Sequence, residues 1–220
     1  MSIGVVEQRG ISACGRWFGA LALGFALGLL LLHPAAADNA NVLARALVET
    51  PFDQSQLRHG YRHLETTSDG KLPEEATQSG IVAGVAAAFE GPGEAFCDAA
   101  VYYLIFATAA HAEVYYESQF DMMVEDKEGL NAVTDITIET VDHTVVPVRC
   151  FLSATEEVFS CMYLEPDLST VIQMVAGPGS RSDASDAEGL RQEFLAGQGA
   201  IALSGVLTAT RTHLLRAAGR

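Results

Sequence analysis

The 220-residue chain is 49% hydrophobic and 19% charged, with 28 acids against 13 bases and a formal net charge of -15. So acidic a surface repels nucleic-acid phosphates and anionic lipid alike, which argues against both as partners, and so apolar a composition argues against a disordered acidic chain. Length and composition suit one well-buried core, and the expectation is a single α+β domain at residues 38–220 behind a targeting segment at 1–37.

The chain opens in the pattern of a cleavable signal peptide. Arg9 and Arg16 precede the apolar run 17–32, Pro34 stops it, and Ala35 and Ala37 supply the small residues a peptidase needs, so cleavage is expected after Ala37. As a helix that run reaches only about 24 Å, short of a hydrocarbon core of about 30 Å, so an uncleaved anchor fits less well. Cys14 stands ahead of the apolar run instead of behind it, and Arg9 and Arg16 are not adjacent. Neither a lipid-attachment box nor a twin-arginine signal is read here. The expected destination is periplasmic or secreted, with no membrane association beyond the export signal, and the environment is oxidising.

Beyond the leader, Val42, Leu43, Ala46 and Leu47 predict a short helix that Pro51 ends. Leu57, Tyr61 and Leu64 predict a further helical turn or two, followed by an exposed loop at 68–73. Periodicity does not separate helix from strand at 81–89, but Gly84 and the shortness of the run favour a strand. Gly91-Pro92-Gly93 then turns it into a second strand at 101–106, apolar on both faces. Thr108 caps a helix in which Ala109, Ala112, Tyr116, Phe120 and Met123 share a face.

Residues 133–141 alternate as a strand with one wet face, 145–152 and 158–164 form a hairpin, and 170–176 add another strand before a loop at 177–183. Helices at 186–196 and 200–218 close the chain. Leu203, Val206, Leu207, Thr210 and Leu214 make the buried stripe of the second, and Arg211, Arg216 and Arg220 suit its C-terminal dipole. This order predicts an α+β architecture: an antiparallel sheet with helices packed on one face, including a C-terminal helix or helix pair.

Export leaves Cys97, Cys150 and Cys161 to account for. An even-numbered loop between the last two places them opposite one another in the hairpin, at about 4.5 to 5.5 Å between Cα atoms, within reach of a disulfide. Their spacing is far wider than the Cys-x-x-Cys of redox pairs, so the expected role is structural. Cys97 is left over. It lies between Glu94 and Asp98, which disfavour a thiolate, and reads as a small buried residue in preference to a nucleophile served by His111.

His59 and His63 have the four-residue spacing with which one helix face can share a metal. Gly60 stands where a His-Glu-x-x-His motif needs glutamate, no third ligand is evident, and Arg58 and Arg62 repel a cation, so no metal is expected. His111, Glu113 and Glu117 read as a solvated helix face, and Glu125-Asp126-Lys127-Glu128 lacks calcium-loop spacing. Nucleophile-elbow, phosphate-loop, dinucleotide and Ser-x-x-Lys signatures are missing, and no cofactor is expected. The leading expectation is an exported, non-enzymatic domain that binds a protein or small ligand. The alternative is a periplasmic hydrolase or thiol enzyme using Cys97 with His111 or His59.

Overall fold

Val101, Tyr103 and Ile105 alternate with Leu104 and Phe106 along one strand, and all five are buried. A strand apolar on both sides must be covered on both. The computed structural model describes residues 34–57, 60–68, 79–91, 98–124, 131–139, 145–153, 158–176 and 199–220. There this strand, β3 (Ala99–Phe106), lies inside a seven-stranded antiparallel sheet. The other strands are β1 (Arg62–Ser68), β2 (Ile81–Glu90), β4 (Asn131–Glu139), β5 (Val145–Ser153), β6 (Val158–Glu165) and β7 (Thr170–Ala176). Helices α1 (Pro34–Glu49), α2 (Ala109–Val124) and α3 (Gly199–Ala217) pack against them.

The spatial order β1-β2-β3-β7-β6-β5-β4 consists of two meanders. Helix α2 carries the chain from the end of β3 to the far edge at β4, and the second meander walks back until β7 pairs with β3. One face of the sheet, bearing Val85, Phe89, Val101, Tyr103, Ile172 and Met174, is covered by α1 and α3 through Leu47, Val206, Leu207 and Leu214. The opposite face gathers Leu104, Phe106, Phe151, Met162 and Val171 around Ala112 of α2.

The α+β class, the antiparallel sheet and the C-terminal helix are those read from the sequence. Two helices share a face, and α2 takes the other because β3, β6 and β7 present apolar side chains there as well. The helix expected at 186–196 and the loop at 177–183 lie outside the described residues. In α3 the expected stripe holds at Val206, Leu207, Thr210 and Leu214, all fully buried, while the side chain of Leu203 lies outside the described residues.

Two local expectations are corrected. Leu57, Tyr61 and Leu64 do not mark a helix: a short turn at Gln54–Gln56 leads into β1, where Leu64 is 53% exposed. The β-branched Thr66 and Thr67 and the pairing of His63 with Phe89 decide for an edge strand, overriding a three-point helical match. In α1 the inward positions are Ala40, Ala44 and Leu47, with Leu43 partly buried, whereas Val42 is 66% exposed.

Candidate functional site

Three elements meet over the first meander to form a box of rings. Phe52, just after α1, stacks on His63 of β1 with ring centroids 4.5 Å apart, and its edge meets Phe89 of β2 and His213 of α3 at 5.3 and 5.0 Å. Gln54 fixes the strand beside it: its Nε2 donates to the His63 carbonyl at 3.0 Å and its Oε1 accepts the His63 N–H at 3.2 Å. The side-chain amide thus imitates a β partner for an edge strand.

His213 is the hub. Its Nε2 lies 3.1 Å from the carbonyl of Thr50 and its Nδ1 lies 3.0 Å from the Tyr103 hydroxyl. A carbonyl only accepts, so Nε2 carries the hydrogen. In the neutral ring Nδ1 is then an acceptor, and Tyr103 donates to it. The Tyr103 hydroxyl has a second acceptor, the Thr210 carbonyl, at 3.4 Å. Burial holds His213 below the ordinary histidine range, and the positive charges of His63 and Arg216 act in the same direction, against a hydrogen bond to Thr50 that works the other way. Burial also lowers His63, and it raises the Tyr103 hydroxyl far above the usual tyrosine value. Tyr103 is wholly buried and His213 is 3% exposed, so the relay fastens strand, helix and connecting segment together and does not face a substrate.

Next to this relay lies a buried ion pair, Arg211 Nε to Glu165 Oε2 at 2.8 Å. Tyr163 joins the two groups on the same sheet face, since Tyr103 and Tyr163 both pair with Ile172 from opposite sides. Its fully buried hydroxyl has no hydrogen-bond partner among the described residues and is raised well above the ordinary value, first by burial.

Among the described residues a groove of about 420 Å³ opens on this side of the sheet. Val42, Leu43 and Ala46 of α1 form one wall, Ala217 and Ala218 at the end of α3 another, and Ile105 with Leu168 the floor and rim. Its polar lining groups are Asn39, Asp167 and Ser169, and Asp167 accepts from Arg220 at 3.0 Å. Ser169 takes a left-handed backbone with φ 49, which turns the chain sharply from the Pro166–Leu168 helical turn into β7.

Cys150 and Cys161 stand opposite one another as the hairpin arithmetic expects, though closer than the roughly 4.5 to 5.5 Å of an ordinary ladder pair. Cys150 and Cys161 are register partners on β5 and β6, with Cα atoms 4.0 Å apart, joined by a disulfide and fully buried. Cys97 and His59 lie outside the described residues. His63 stands on a strand, so the four-residue helical spacing to His59 is not realised. His111 sits at the start of α2 against Gly80, whose φ of 83 and missing side chain make room for the ring; a Cβ there would stand 3.3 Å from it. Asp98, the sequence neighbour of Cys97, is at the other end of β3, about 26 Å away for eight residues of strand. Glu113 and Glu117 are exposed, as expected, and Glu117 lies 3.5 Å from Arg149. Among the described residues no group of three or more His, Cys, Asp or Glu side chains is placed to hold a metal ion.

Sequence reasoning missed His213, Tyr103 and the Arg211–Glu165 pair. For His213 a signal existed: it falls seven residues after Val206 and three after Thr210, on the inward stripe of α3. The sequence places Arg211 where a positive charge suits the dipole of α3, and its burial depends on Glu165, 46 positions away. Comparison of the chain with models of known protein families and with curated protein sequences finds no match.

Proposed function

We propose that this chain is an exported α+β binding domain that takes a small, mainly apolar, neutral or cationic molecule in the groove between α1 and α3. The groove carries the reading. Its volume of about 420 Å³ falls in the range of small-molecule sites, about 300 to 1,000 Å³, and its apolar walls with a few polar groups match their usual lining. Charge narrows the class: a protein of formal charge -15, with Asp167 on the rim, slows and repels anions. Support for export comes from the leader pattern and from a disulfide, which persists in oxidising compartments.

A titration with the neutral dye Nile red and the anionic dye anilinonaphthalene sulfonate tests this. Nile red is expected to bind saturably and the anion at least about tenfold more weakly, a difference of about 1.4 kcal/mol. Ala46→Leu, which fills the groove from α1, is expected to weaken Nile red by a similar factor, and Val42→Asp, at an exposed position, supplies a variant with little folding cost. Equal binding of both dyes, unaffected by either substitution, would sink the reading.

A further inference from the structure

The elements that wall the groove are also the ones His213 ties together. Thr50, whose carbonyl accepts from His213, continues α1 through its own N–H bond to Ala46 at 2.8 Å, and Ala46 lines the groove. On the other side, His213 precedes Ala217, another lining residue, by one turn of α3. We infer that His213 is a proton-operated latch that holds α1 against α3 while neutral and loosens the groove when it takes up a proton. The inference rests on the groove as the binding site and adds its regulation.

The surroundings decide the direction. From α3 itself, Arg216 faces the ring; from β1, His63 does so across Phe52. Both oppose a second positive charge. From β2 comes Phe89, which is apolar, and from β3 Tyr103, which is neutral. In the connecting segment, Asp53 has its carboxylate engaged by Arg216 at 3.2 Å and by the Ser55 side chain at 2.6 Å, and the Ser55 bond is the main cause of its lowered pKa. Glu65 supports the charged form of His63, the competing imidazole. The C-terminal dipole of α3 favours a cation, but its effect is small beside the cost of burying an unpaired one.

Hydrogen bonding alone does not oppose protonation. Nδ1–H would donate to the Tyr103 oxygen, and the Tyr103 hydroxyl would turn to Thr210. What fails is solvation of the charge in a closed box of rings, and water reaches the ring only when the Thr50–Phe52 segment lifts from α3. Because the closed form holds His213 below its ordinary value of about 6.5, acid favours the open form. Closure is complete above that value and is lost as pH falls through it.

Hydrogen exchange on the full chain, corrected for the intrinsic effect of pH, reads this without any ligand. Protection of the amides of residues 40–50 is expected to fall severalfold, with about tenfold the ceiling for one imidazole of ordinary open-form pKa, between about pH 7.5 and about pH 5.5. In His213→Gln, whose amide can serve Thr50 but does not titrate, the change should shrink to less than about twofold. Unchanged protection in the wild type overturns the latch, as does a fall that persists in His213→Gln and disappears in His63→Gln. Should His213→Gln fail to fold, the wild-type ring signals of His213 must titrate with the same midpoint as α1 protection; different midpoints overturn the assignment. If α1 responds to acid while Nile red affinity does not, the latch stands and the groove reading fails.

Discussion

The two faces of this sheet solve burial differently. Under α2, Leu104, Phe106, Met162 and Val171 make a mainly apolar layer, although the helix also buries Gln119 Oε1 and His111 Nδ1, and among the described residues the perturbed titrating group there is Tyr115, pushed up to about 12 by burial. Under α1 and α3 the same strands bury a tyrosine-histidine relay, an ion pair and a tyrosine hydroxyl without a partner among the described residues, so here the sheet itself contributes polar groups. An apolar face rewards any snug filling, whereas polar groups demand particular partners. The polar face therefore dictates where α1 and α3 sit, and the groove between those helices lies on it.

The sharpest way to break this contrast is Arg211→Met. It leaves Glu165 charged and buried, and is expected to cost about 3 to 5 kcal/mol in urea unfolding. Adding Glu165→Leu should restore most of that loss; a double variant as weak as the single one would show that the pair itself, and not the stranded charge, supplies the stability. On the apolar face, Leu104→Ala is expected to cost about 2 to 5 kcal/mol with no partner able to rescue it, and to leave the pH dependence of stability unchanged. A shifted pH profile in that variant would mean the two faces are coupled through the sheet. The smallest effect belongs to the rim: Arg62 pairs with Glu90 across β1 and β2 with side chains 65% and 48% exposed, and Arg62→Ala should cost less than about 1 kcal/mol.

Much of this fold was legible as periodicity. The stripe of α3, the two-sided β3 and the opposed cysteines each follow from local spacing, because each depends on neighbours a few residues away. Strand β1 was misread since its apolar positions are few and its conformation is set by β2, across a pairing of Arg62 with Glu90. The polar face was the least legible. Glu165 and Arg211, or Thr50 and His213, are joined by distances in sequence that no spacing rule spans, and their residue types alone suggest solvent exposure. The groove was invisible for the same reason, since α1, the turn before β7 and the end of α3 come together only in the fold.

The seam between β3 and β7 has a kinetic meaning. Each meander pairs strands that follow one another along the chain, but closing β7 onto β3 unites positions about seventy apart, Ala99 with Ala176 at one extreme. Among the strand pairings that closure spends the most chain entropy, so formation of the complete sheet should hinge on the join while the two halves zip up early. A chain released into an oxidising compartment can thus secure its Cys150–Cys161 crosslink within one half before the halves ever meet.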